Sequence, residues 1–319
     1  MPGAWGFTLN HERMSSPRLS SPPGLTGAAF GTLLLIAFMM GANHVAARTA
    51  FNHGLDVVTA VTVRSVITAS VVALILWQQK VAFRVLPAQR KYLGAVGLLI
   101  AVQSVCLYSA VARLPVALAL LAFNTYPLTT ALWARILYGH QPQRAVLWAM
   151  PVMMAGLALA LDVLGAASGL GAARQWAEIG AGVAFALAAS ATFGLALVLT
   201  QHETVGVDGR LRTFTTMATV GVLAASVALT QGGFQWPQAV PGWWGLALLT
   251  FLYGTAFTIM FTVLPKLGVV GNSAIMNVEP IFALVLAWAL LGQAIAPMQL
   301  LGAAVVVATV MWLGLRKPH

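Results

Sequence analysis

The sequence predicts an all-α membrane protein with ten transmembrane helices, arranged as two inverted five-helix repeats with both termini cytoplasmic. Three observations lead there. Sixty per cent of the 319 residues are hydrophobic and only 8% are charged, where an ordinary soluble domain carries about 25% charged residues. Apolar runs of about 20 residues, the length of a helix that crosses a bilayer, recur from end to end. The second half also repeats the first at an offset of 153 residues, the step that carries Pro127 onto Pro280.

In chain order the apolar runs cover roughly 26–47, 57–78, 92–111, 115–134, 145–163, 179–200, 213–230, 243–264, 269–291 and 298–315. They are continuous rather than alternating, which argues against a membrane barrel built from strands of about ten residues. Residues 1–24 include SSPRLSSPP and lack an apolar face, so they read as a disordered cytoplasmic tail. The first run is long for a signal-peptide core and reads as a retained span. The two repeats then occupy 25–165 and 175–319.

Charge sets the orientation. With the N-terminus inside, thirteen of the seventeen basic residues fall on the cytoplasmic side, among them Lys80, Arg84, Arg90, Lys91, Arg135, Arg144, Arg210, Arg212 and Lys266. Short loops rich in Lys and Arg stay in the cytoplasm, and the cytoplasmic membrane is the expected location. The net charge of +10 is spread over short loops between spans, which suits anionic lipid head groups and not a nucleic acid. Trp77, Trp133, Trp148, Trp176, Trp236, Trp243, Trp244 and Trp312 fall near span ends, where indole anchors a helix at the interface.

The repeat also places Asn124 on Asn277, Gly139 on Gly292 and Gly41 on Gly194. The motifs NxYP and NxEP are each followed by about a dozen apolar residues and a glycine. Five spans per repeat is an odd number, so the second repeat enters the membrane from the opposite side. Inverted repeats are a device of secondary transporters, whose substrate site lies near the midplane between the halves.

Pro127 and Pro280 have no N–H, so the carbonyls of Phe123 and Met276 lose their helical partners. In lipid an unpaired carbonyl must face protein or water. The side chains of Asn124 and Asn277 are the expected caps, and the two prolines the expected helix breaks or hinges. Glu279 lies about 15 Å into its span, the middle of the bilayer. A carboxylate there costs about 2.5–3.5 kcal/mol on insertion scales. Two readings stay open: a cavity residue that meets a substrate amine or a proton, and a structural carboxyl bonded to a neighbouring helix. Asn43 and His44 form a second intramembrane polar pair. Gln103, Tyr108, Tyr126, Tyr253 and Phe257 sit mid-span, and Tyr and Phe there suit an aromatic or amphipathic solute, although such residues are more often packing. These ten are the expected substrate-binding or cavity residues, and all but Tyr108 and Phe257 are expected to border one central, water-accessible space. Arg64, inside the second span, either reaches outward along its helix or pairs with an acid.

Other chemistry is absent from the sequence. There is no GxxxxGK[ST] loop, no HExxH and no Cys/His cluster around the single Cys106, so no cofactor, metal or enzymatic activity is expected.

The GANHVAAR stretch, the RLPVALA link, the proline-bearing fourth and ninth spans and the endings LYGH and LLGQ resemble the drug/metabolite transporter superfamily, EamA-like branch. Within that branch the chain looks most like YddG-type exporters of aromatic amino acids and other small compounds. It departs at His140 and Gln293, where many members carry glutamate. The resemblance implies a central cavity lined by both halves, and export. The expected function is secondary-active export of small amphipathic metabolites, amino acids with aromatic ones favoured, by alternating access. The partners are then a small-molecule substrate, membrane lipid and a coupling proton. A membrane scaffold or signalling protein on a degenerate transporter fold, or an uptake permease, is the alternative.

Overall fold

The computed structural model describes residues 27–81, 85–141, 144–262 and 278–315, and all regular structure among them is helical. The helices are α1 (Gly27–Asn52), α2 (Val57–Gln78), α3 (Pro87–Arg113), α4 (Val116–Phe123), α5 (Tyr126–Tyr138), α6 (Arg144–Ala160), α7 (Ala172–Glu203), α8 (Gly209–Thr230), α9 (Val240–Thr262), α10 (Glu279–Leu291) and α11 (Pro297–Leu315). Seven stretches are long and apolar enough to cross a membrane, α4 and α5 together forming one of them, and three shorter helices are apolar too. Each predicted run coincides with one of these. The ninth does so only from Val278 onward, since residues 263–277 lie outside the described residues, as does the expected tail.

Local chemistry explains the ends. Asp56 accepts from the backbone N–H groups of Val58 and Thr59 at the start of α2, and Asp208 accepts from Arg210 N at the start of α8. Each carboxylate satisfies amides that a helix N-terminus leaves unpaired. α3 and α11 begin alike. Proline stands first, where no N–H is needed, and Gln89 or Gln299 reaches back to the amide of Leu86 or Ala296.

The repeat seen in the sequence is present in three dimensions. α5 and α10 coincide residue for residue at the offset of 153, each with proline in its second position. Both end on glycine in the left-handed region, Gly139 at φ 68° and Gly292 at φ 64°, where a side chain would be strained. Helix contacts also come in pairs. α1 packs on α9 as α7 packs on α3, and α10 packs on α1 as α5 packs on α7. The counterparts α2 and α8 pack on each other, and so do α6 and α11.

These counterparts run antiparallel. Asp56, before α2, meets the amide of Gln235, just past the end of α8. Gln79, past the end of α2, accepts from Arg210 at the start of α8. Gly156, near the end of α6, meets Gly302 and Val305 early in α11. The most extensive helix contacts run between the halves rather than within them. The two sequence repeats therefore share one core.

The exterior is apolar. Trp77, Trp148 and Trp244 are exposed near helix ends, together with Leu35, Ile67 and Leu74 along the flanks. Trp133 departs from its predicted interface role. It is half-buried within α5 and donates from Nε1 to the carbonyl of Ala191 on α7, 3.0 Å away.

Candidate functional site

The site begins where α1 crosses α10. Gly41 makes the crossing close, because a Cβ there would stand 2.9 Å from the Glu279 carbonyl oxygen and 3.1 Å from the Ala283 amide. Small residues permit such approaches in lipid, where packing rather than water drives association. The next turn of α1 carries Asn43 and His44, both buried. His44 Nε2 lies 3.2 Å from Glu279 Oε1. Glu279 is the first residue of α10, so its carboxylate also faces the positive end of the helix dipole.

A second layer extends from that pair. The Tyr108 hydroxyl, from α3, donates to Asn43 Oδ1 at 2.9 Å, and its ring stands edge-on to His44 with centroids 5.6 Å apart. The Arg64 guanidinium, from α2, lies 4.3 Å from the Tyr108 ring centroid and 4.0 Å from that of Tyr253 on α9. Tyr253 in turn packs on Phe257 at 4.5 Å. Glu279, His44, Asn43, Tyr108, Arg64, Tyr253 and Phe257 thus form one connected series across five helices of both halves.

Arg64 is the residue that sequence reasoning misplaced. It is 3% exposed, so it does not reach outward, and among the described residues it has no ion pair. Each tyrosine ring contributes roughly 0.5–2 kcal/mol, of the same order as the about 2.5–3.5 kcal/mol that an arginine costs at the centre of a bilayer. The rings stabilise the charge. The Tyr108 side chain also makes a hydrogen bond with Arg64, while the buried Arg64 Nε has no partner among the described residues. The only signal in the sequence was scarcity: of seven acids, Glu279 alone falls mid-span.

Three further predicted residues lie outside that series, although Tyr126 is close enough to Glu279 to feel its charge. Gln103 is buried on α3 and accepts from the Ser104 hydroxyl at 3.3 Å. Tyr126 packs against Phe123 and Phe193, with centroids 5.6 and 5.1 Å away. Asn124 is buried at the seam between α4 and α5. The helix breaks there as Pro127 requires, and Thr125 supplies a cap that sequence reasoning missed. Its hydroxyl donates to the Ala122 carbonyl at 2.8 Å and lies 2.9 Å from the Ser190 hydroxyl of α7. Thr129 adds a bond to the Ser190 carbonyl at 2.9 Å. Asn277, the counterpart of Asn124, lies outside the described residues.

At the two departures from the family pattern, His140 lies 5.1 Å from the ring of His202. Gln293 accepts from Val116 N at 3.0 Å and so caps the start of α4. No cluster of three or more metal-ligating side chains occurs among the described residues.

The comparisons with known proteins fit this architecture. Residues 27–161 and 180–315 each match the EamA-like transporter family. The chain belongs to that family. The two matches coincide with the two repeats, so this is a multi-pass membrane protein with a two-repeat transporter domain. A solved crystal structure shares the fold, with a TM-score of 0.59 at 19% identity over 89% of this chain and 96% of that one. No curated protein matches the sequence.

Proposed function

We propose that this EamA-like transporter is a secondary-active exporter of small amphipathic metabolites, amino acids among them and aromatic ones favoured, working by alternating access in the cytoplasmic membrane. The observation that carries the reading is the His44–Glu279 pair. It joins α1 of the first repeat to α10 of the second at 3.2 Å, where α10 begins on Glu279 and carries Pro280 in its second position. Both groups can exchange a proton. When Glu279 gives up His44 for a substrate amine or a proton, the link between the two halves is released, which couples occupancy to movement.

Further support comes from the antiparallel counterparts. They suit ten spans in two inverted repeats, with both termini cytoplasmic. Gln89 bonds the Val205 carbonyl and Arg210 bonds Gln79, which brings the basic loops after α2 and α7 to one end of the molecule. That gathering suits the cytoplasmic face. The aromatic preference rests on Tyr108, Tyr126, Tyr253 and Phe257, and on the resemblance to YddG-type exporters.

The test is transport into and out of liposomes containing the purified chain, across a panel of amino acids, with and without a pH gradient. Transport of an aromatic amino acid that responds to the gradient is expected. If no compound moves under either condition, the transporter reading gives way to that of a membrane scaffold.

A further inference from the structure

We infer that Arg64 is the carboxylate-recognition point of the transport site, so that the substrate class is an aromatic compound bearing a carboxylate. This deepens the proposed function and rests on it. The argument starts from buried polar atoms without hydrogen-bond partners. Five of them are Asn43 Nδ2, His44 Nδ1, Arg64 Nε, Ser65 Oγ and Thr250 Oγ1. They lie on α1, α2 and α9. Those helices carry Arg64, its stacking partner Tyr253, and the Asn43 that binds Tyr108.

Four of the five can donate, and His44 Nδ1 donates or accepts according to its tautomer. Asn43 Nδ2 and Arg64 Nε can only donate, and the hydroxyls of Ser65 and Thr250 can do so. Buried donors without acceptors are rare and costly. Arg64 Nε, a buried donor without a partner on a permanent cation, calls for an anionic acceptor.

The guanidinium lies with its carbon over the Tyr108 and Tyr253 rings, 4.3 and 4.0 Å from their centroids. Its N–H groups point from its edge, and the planar fork matches the two oxygens of a carboxylate. No acid of the chain fills this role among the described residues. Glu279, the one mid-span acid, faces His44. Arg64 and Glu279 therefore stand at opposite ends of one connected series, through Tyr108, Asn43 and His44. A substrate carboxylate at Arg64 places an amine toward Glu279, and its aromatic group toward Tyr108, Tyr253 and Phe257. These side chains are buried in this structure, so access belongs to the opening step of the transport cycle.

The experiment compares phenylalanine, phenylalaninamide and phenethylamine, in liposome transport and in thermal unfolding of the full chain in detergent, with inorganic phosphate as the control anion. Wild type is expected to favour phenylalanine over the amide by about tenfold or more, the scale of one charge-assisted bond. Arg64→Gln is expected to lose that preference while still moving the amide. Wild type treating acid and amide alike, or Arg64→Gln retaining the preference, overturns the assignment. A lower unfolding temperature with the preference intact makes Arg64 a structural residue. If Arg64→Gln does not fold, Arg64→Lys decides, because it keeps the charge without the fork, and an undiminished preference overturns the proposal. If wild type moves none of the compounds, the transporter reading fails. The subsite is then judged by whether phenylalanine, but neither the amide nor phosphate, raises the unfolding temperature of wild type and not of Arg64→Lys.

Discussion

The crossing of α1 with α10 and the crossing of α7 with α5 are the same piece of packing made twice. Gly41 seats α1 on Glu279, Phe282 and Ala283. At the offset of 153, Gly194 seats α7 on Thr129 and Thr130, the counterparts of Phe282 and Ala283. The chemistry at the two places is opposite. The first crossing holds the His44–Glu279 pair. The second holds Phe123, Tyr126 and Phe193 in mutual ring contact, and the hydroxyls of Thr125, Thr129 and Ser190. Backbone geometry is what the repeat preserves, because close approach needs only glycine and a helix start. Side-chain chemistry has diverged: one crossing holds a histidine–carboxylate pair and the other aromatic rings and hydroxyls.

The sharpest way to break this contrast is to remove the carboxyl group. Glu279→Gln is expected to lower transport by about tenfold or more, the scale of one charge-assisted contact, and to flatten its pH dependence. Folding should survive, because a neutral amide is cheaper to bury than an ion. Tyr126→Phe, at the matching position, is expected to leave the pH profile unchanged. Efflux from liposomes at several pH values, at equal protein content, checks both. Parallel pH profiles for wild type and Glu279→Gln would make Glu279 a structural carboxyl.

Next come the glycines. A Cβ at Gly194 would stand 2.5 Å from Thr129 Oγ1 and 2.8 Å from the Thr130 amide, and at Gly41 2.9 Å from the Glu279 carbonyl. Gly41→Val and Gly194→Val are each expected to destabilise by about 1–3 kcal/mol, measured by unfolding in mixed micelles. Only Gly41→Val should also alter the pH profile, since it alone displaces Glu279.

The hydroxyl network should show a smaller effect. A double-mutant cycle on Thr125→Val and Ser190→Ala is expected to give a coupling of about 0.6 kcal/mol, the usual scale for polar contacts between membrane helices. A coupling of zero would mean that α7 is held by packing alone.

The smallest effect belongs to the caps of α2 and α8. The Arg210 guanidinium beside Asp208 holds that carboxyl below its ordinary value of 3.8. A lowered folded value means the stabilisation is present above that pH and is lost as the pH falls through the folded value. The pair is about one-third exposed, which limits it to roughly 0–1 kcal/mol. Asp208→Asn is expected to cost no more than that near neutral pH, with the gap to wild type closing below pH 3.8. A gap that persists there would assign the effect to the cap rather than to the charge.

The residues themselves mark what could be read in advance. The apolar runs gave the helices, and the offset between Pro127 and Pro280 located two helices whose bounds match residue for residue. The interest of Asn43, His44 and Glu279 followed from the cost of polar groups at membrane depth. Their partners did not follow. Thr125, which the sequence did not single out, bonds the Ala122 carbonyl, and its hydroxyl meets Ser190, 65 positions away in sequence.

The sequence by itself determined the solvent, the helices, their breaks and the repeat, because hydrophobicity, proline and glycine act through the backbone around them. Tertiary structure decided which side chains meet. Arg64 lies between Tyr108 and Tyr253 because of how α2, α3 and α9 are rotated and stacked. That rotation depends on contacts between distant segments, such as Gly97 against Thr219 and Gly221 against Val66, and no local pattern encodes it.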